Sequence, residues 1–120
     1  MSEARRRPER GEIWWVNLDP TIGSEQVGKR PIVVISSNSF HRIQKQIVVA
    51  VPMTRSGRPF RFHLRADPDE TGLPQPGWIM CDQVRSISAQ RMLDPFPAGR
   101  VSLATMARID ALLRALLDLP

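Results

Sequence analysis

Ile32-Val33-Val34-Ile35 is an unbroken β-branched run that opens after Pro31 and closes at Ser36-Ser37-Asn38. A run this short, with no polar side, suits a strand covered on both faces. Residues 46–53 repeat the sign with Ile47-Val48-Val49-Ala50-Val51. Upstream, Glu12-Ile13-Trp14-Trp15-Val16-Asn17-Leu18 is aromatic and β-branched and stops at the turn signal Asp19-Pro20, which predicts a first strand. Between it and Ile32, residues 21–31 carry Gly23, Gly28 and Pro31 among polar residues, a composition for a long loop. Downstream of a Gly/Pro-marked loop at 55–59, Phe60, Phe62 and Leu64 alternate with Arg61 and His63, the period of a half-exposed strand. Residues 67–77 read as an exposed loop, 78–84 as a strand that 85–88 extends, and 94–99 as a connector. Ser37 and Asn38 offer caps for a short helical turn through Phe40 and His41.

The chain ends on a helix capped by Ser102, with Leu103, Met106, Ile109, Leu113 and Leu116 on one face. Arg108, Asp110, Arg114 and Asp118 lie mostly away from it. Leu112 and Leu117 widen the apolar face beyond what one small sheet covers, which leaves room for a partner subunit. About five strands in succession and a terminal helix define a small, mainly β, barrel-like α+β domain with antiparallel neighbours.

The chain has 120 residues and is 42% hydrophobic, enough for one compact core. Residues 1–9 are polar and arginine-rich and read as a flexible basic arm before a domain spanning 10–120. No apolar run approaches the ~20 residues that span a bilayer, and no apolar segment follows Arg5–Arg7 as a secretory signal requires. A cytoplasmic protein is expected. One cysteine, Cys81, excludes an internal disulfide, and with His41 and His63 it makes no zinc spacing, so neither metal nor cofactor is expected. Cys81 sits in the apolar run Trp78-Ile79-Met80-Cys81 and suits a small buried hydrophobe. The net charge of +5, mostly arginine, is compatible with an anionic partner.

Chemistry concentrates in Gly23-Ser24-Glu25-Gln26-Val27-Gly28-Lys29-Arg30-Pro31, where a carboxylate precedes a guanidinium that abuts a buried strand. Pro31 and the strand hold Arg30 near the base of the loop. From spacing alone, Arg30 could simply pair with Glu25 or Asp82. However, Arg10-Gly11-Glu12-Ile13-Trp14-Trp15-Val16-Asn17-Leu18-Asp19-Pro20, then Gly23-Ser24-Glu25-Gln26, Gly28 and Arg30-Pro31, resembles the N-terminal signature of the MazF/PemK toxins. Pro52-Met53-Thr54 and Asp82-Gln83-Val84-Arg85-Ser86-Ile87 continue the likeness, which covers roughly residues 10–117.

The resemblance implies an SH3-like, partly open antiparallel β-barrel with a C-terminal helix, of the CcdB/PemK kind. It implies a homodimeric toxin of a toxin-antitoxin pair that cuts single-stranded RNA without a metal, by 2′-hydroxyl attack. The ends left would be a 2′,3′-cyclic phosphate and a 5′-hydroxyl. By family position Arg30, Thr54 and Glu25 are the catalytic candidates: Arg30 for charge stabilisation, Thr54 to steady the phosphate, and Glu25 either as base or to orient Arg30. Ser24, Gln26, Lys29, Arg55, Arg58, Gln83 and Arg85 are the RNA-binding candidates. Trp14, Trp15 and Trp78 sit in strand-like runs and are assigned to core or interface. His41 and His63 suit acid and base work, but the family pattern does not use them. Asp67, Asp69 and Glu70 are a solvated charge run. A cognate MazE-like antitoxin with an acidic, extended tail is the implied partner. The rival is a CcdB-like toxin that traps gyrase without cutting RNA; the Glu25-to-Arg30 spacing with Thr54 matches the ribonuclease branch. A plain SH3-like peptide module would be expected to carry groove tyrosines, and the chain has none.

Overall fold

The computed structural model describes residues 6–18 and 28–120. In chain order the elements are β1 (Glu12–Asn17), β2 (Lys29–Val34), α1 (Asn38–Ile43), β3 (Ile47–Thr54), β4 (His63–Ala66) and α2 (Pro68–Thr71). They continue with β5 (Gly77–Met80), β6 (Arg85–Ser88), a 3-10 turn (Ala89–Arg91), β7 (Gly99–Arg100) and α3 (Leu103–Leu117). The strands pair antiparallel in the order β4-β5-β3-β2-β1-β7, with β6 also on β3. The expected mainly β class and terminal helix are what the chain adopts.

The sheet curls because β3 is shared. Its first half, from Ile47 to Ala50, pairs with β6, and its end, Met53 and Thr54, pairs with β5. Pro52 stands where β3 exchanges one neighbour for the other, a place suited to a residue that cannot donate to a ladder. The result is a curled, partly open half-barrel. Strand alternation divides the core: Ile13, Val33, Val51, Met53 and Ile79 point one way, with Met106 and Ile109 of α3 against them. Trp14, Val16, Ile32, Val34, Val48, Ala50 and Ile87 fill the other face. Ile32 to Ile35 are thus buried on both sides of the sheet, as their unbroken apolar run predicts.

Four expectations need correction. The strand placed on 60–64 begins at His63, because the amide of His63 closes a turn onto the Phe60 carbonyl at 3.0 Å. Inward parity survives the shift, since Leu64 and Ala66 are buried. The loop at 67–77 contains α2, with Thr71 and Leu73 buried. The strand placed on 78–84 stops at Met80; Cys81 and Asp82 turn the chain, and β6 pairs elsewhere along β3. On α3, Leu103 is exposed, and Thr105, Met106 and Ile109 are the residues buried. Leu112 and Leu113 pack partly against the core, while Leu117 stays open. The helix is capped as expected, with the Ser102 hydroxyl accepting from the Thr105 amide at 3.1 Å.

Within the arm, Arg6 and Glu9 are engaged with the domain. The Arg6 amide donates to Pro95 O at 2.9 Å, and its guanidinium reaches the buried Glu12 carboxylate at 2.6 Å. Arg10 then ties the start of β1 to the Ile35 carbonyl and to Asp110 of α3.

Candidate functional site

Arg30 lies near the start of β2 and Thr54 ends β3. Val16 faces Arg30 across β1 and β2, and Ile32 faces Pro52 across β2 and β3, so continuing that register by two residues sets Arg30 beside Thr54. The Arg30 guanidinium donates through Nη1 to Thr54 Oγ1 at 3.5 Å, a long contact that orients more than it binds. Thr54 Oγ1 also accepts from the Ser56 amide at 3.3 Å and lies 3.1 Å from Ser56 Oγ. With two donors aimed at its oxygen, Thr54 keeps its proton to give, to Ser56 Oγ or to an incoming phosphate oxygen. Thr54 is almost buried, and Arg30 is half-buried.

A hollow of about 320 Å³ wraps this end of the sheet. Lys29, Arg30, Pro31, Thr54 and Arg55 line one part of it, with Trp15 and Met53, and the segment 73–77 before β5 closes the other. By alternation Trp15, Pro31 and Met53 point to the opposite face from Arg30 and Thr54, so the two faces meet at the strand ends. Such an end can present a guanidinium and a hydroxyl to one anionic group.

Lys29 and Arg55 border the hollow, and Arg58 is exposed on the loop after β3. Arg85 faces Ala50, on the same side of β3 as Thr54 and about 13 Å along the strand. Gln83 donates to Met80 Sδ at 3.6 Å. Glu25, Ser24 and Gln26 lie outside the described residues. The two histidines are engaged locally. His41 is buried and 2.6 Å from Ser36 Oγ, and burial holds its pKa below the ordinary value. His63 Nε2 lies 2.9 Å from Asp82 Oδ1. Asp82 therefore pairs with His63 in place of the alternative pairing with Arg30. Cys81 is buried, and desolvation followed by the nearby Asp82 charge pushes its thiol up to about 12, which fits the expected inert role.

Glu70, counted above in a solvated run, accepts from the Ser102 amide at 2.8 Å and so joins α2 to the start of α3. The sequence reading did not single out Ser56, visible only as the hydroxyl two residues after Thr54; Trp78, assigned to core or interface, belongs to neither hydrophobic cluster.

The described residues form a curled half-barrel with an arginine and a threonine together at one open end of its sheet. Residues 9–117 match the family described as PemK-like, MazF-like toxin of type II toxin-antitoxin system, and the chain belongs to that family. It is 37% identical over 115 residues to the endoribonuclease MazF9 of Mycobacterium tuberculosis, covering 92% of this chain and 96% of that one. To the endoribonuclease toxin MazF of Escherichia coli K12 it is 34% identical over 85 residues, 71% of this chain and 72% of the other. Among solved structures, an endoribonuclease in complex with its cognate antitoxin from a Mycobacterial species superposes with a TM-score of 0.74 at 26% identity. That likeness covers 94% of this chain and 97% of the other. MazF from Deinococcus radiodurans shares the fold with a TM-score of 0.80 at 23% identity, covering 94% and 98%. Among the described residues no helix is long and apolar enough to cross a membrane.

Proposed function

We propose that this chain is the toxin of a type II toxin-antitoxin pair and cuts single-stranded RNA at a short sequence. The observation that carries the reading is Arg30 held beside Thr54 at the open end of the sheet, in a chain whose relatives are named endoribonucleases. In the reaction the ribose 2′-oxygen forms a bond to the adjacent phosphorus as the bond to the 5′-oxygen breaks. The products are a 2′,3′-cyclic phosphate and a 5′-hydroxyl. Arg30, ionised at any physiological pH, stabilises the charge that builds on the non-bridging oxygens. Thr54 donates a hydrogen bond to one of those oxygens and keeps its proton, while the departing 5′-oxygen takes a proton from water to become the 5′-hydroxyl. Glu25, five residues before Arg30, takes the 2′-hydroxyl proton, or else orients Arg30 while water takes that proton. Ser24, Gln26, Lys29, Arg55, Arg58, Gln83 and Arg85 contact the strand around the cut, and no metal takes part.

Two copies form the working unit, with the apolar flank of α3 around Leu117 contributing to the contact. Restraint comes from an antitoxin whose acidic, extended tail competes with RNA for the basic groove. The test incubates the purified protein with a long RNA and a chelator and maps the ends. Cuts at one short sequence, leaving cyclic phosphate, are expected, and a single deoxyribose immediately 5′ of the cut should stop them. Cleavage of an all-deoxy strand at a similar rate, or cleavage abolished by the chelator, would overturn the mechanism. Sedimentation at micromolar concentration should report about twice the chain mass.

A further inference from the structure

Trp78 stands directly opposite Thr54 across β3 and β5, and Arg65 directly opposite Trp78 across β5 and β4. Side chains paired in this way share a face and sit ~4.5–5.5 Å apart at Cβ. Arg30 occupies the same transverse row on the other side of Thr54. One line across the sheet therefore reads Arg30, Thr54, Trp78, Arg65, although these residues are scattered along the chain.

The indole in that row is held in place. Gly57, on the loop after β3, comes so close that a Cβ there would lie 2.5 Å from Trp78 Cγ and Cδ1. The Arg65 guanidinium lies 5.9 Å from the ring centroid, and its Nε is 3.4 Å from Asp67. Yet the ring remains half-exposed and belongs to neither hydrophobic cluster. A fixed, partly wet indole between a phosphate-holding pair and a surface arginine has the three parts of a single-strand platform: a π-face, a cation against it, and charge along the path.

We propose that Trp78, backed by Arg65, is the stacking site for the unpaired nucleobase next to the phosphate held by Arg30 and Thr54. This rests on the ribonuclease reading and names a positioning residue for it. Trp78 presents a flat apolar surface that any base can cover, so it holds the strand in line without choosing the base. Arg65 meets the following phosphate. Gly57 keeps the indole at its angle, since a side chain there would push the ring out of the row.

The test first finds the cut sequence, then uses a short RNA carrying one deoxyribose at the cut, so that binding is measured without cleavage. Trp78→Ala should raise Kd about ten- to hundredfold, the size expected for one stacked base, and Trp78→Phe should recover most of it. On cleavable RNA, KM should rise while kcat at saturation stays within about threefold. Abasic residues placed one at a time around the cut should weaken the wild type at one neighbouring position and add nothing there to Trp78→Ala. Equal weakening at every position would overturn the platform, as would unchanged binding. A Trp78→Phe variant that melts normally but sediments as a monomer and binds poorly would make Trp78 an interface residue and sink the proposal. If the wild type cuts RNA and Trp78→Ala is unaffected, the platform fails and the ribonuclease stands. A wild type that cuts no RNA fails the ribonuclease reading instead.

Discussion

Glu12 and Thr54 are both nearly buried polar residues on the same half-barrel, each beside an arginine, yet their surroundings differ. The Glu12 carboxylate receives the Glu9 amide at 2.7 Å, the Trp14 indole at 3.2 Å and the Arg6 guanidinium at 2.6 Å, with Arg100 at 3.7 Å. Its oxygens are claimed from within the chain. Thr54 instead meets Arg30 at the long distance of 3.5 Å, on the wall of an open hollow. A buried ion closed on itself holds structure together, because every donor it gathers is used in the fold. A hydroxyl on the wall of an open hollow can be reached by a ligand.

The hardest test of this contrast is Arg30→Ala. Cleavage per folded molecule should fall roughly 10²-fold or more, the loss expected for a preorganised donor to developing charge. His63→Ala should cost far less. A reversal of that order in two folded proteins would put the chemistry at the His63–Asp82 pair.

Glu12→Gln probes the other side. It should lower stability by about 2–3 kcal/mol in urea unfolding, because a charge-assisted acceptor for Arg6, Glu9 and Trp14 is lost. Cleavage per folded molecule should hold. Loss of cleavage with an unmoved unfolding curve would make Glu12 part of the site and erase the contrast.

His41 sharpens the comparison through pH. Burial lowers its pKa in the folded state, with the Pro8 carbonyl and Glu12 opposing and Arg7 assisting. Between the lowered folded value and the unfolded value of ~6.5 the unfolded chain binds more protons, so stability should fall as pH drops through that window. Above it the stability is fully present. His41→Gln should flatten this part of the profile, and an unaltered slope would assign it to other groups.

The smallest effect belongs to Arg58, exposed on the loop beyond Thr54. If it touches one RNA phosphate, Arg58→Ala should reduce the slope of log affinity against log salt by about 0.7 and leave sequence preference unchanged. A slope identical to wild type would place Arg58 off the strand's path.

Local pattern was enough for much of the fold. The β-branched runs of β1, β2 and β3 predict buried strands, Ser102 with the spacing of Met106 and Ile109 predicts α3, and Pro31 marks Arg30 as anchored. These signals work because alternation, capping and the φ restriction of proline act between residues a few positions apart. What the sequence could not settle is lateral. Residues 78–88 look like one continuous strand, and they split because two different stretches of β3 offer them partners. Phe60 and Phe62 carry the right parity, but a turn that ends on the Phe60 carbonyl starts the strand later. The row of Arg30, Thr54, Trp78 and Arg65 has no signature along the chain. It is set by hydrogen-bonded register between strands distant in sequence, and one residue of slip would send those side chains to the opposite face. The sequence by itself thus determined the buried strands β1, β2 and β3 and the terminal helix; the tertiary pairing decided where the later strands begin and end and which side chains stand next to one another.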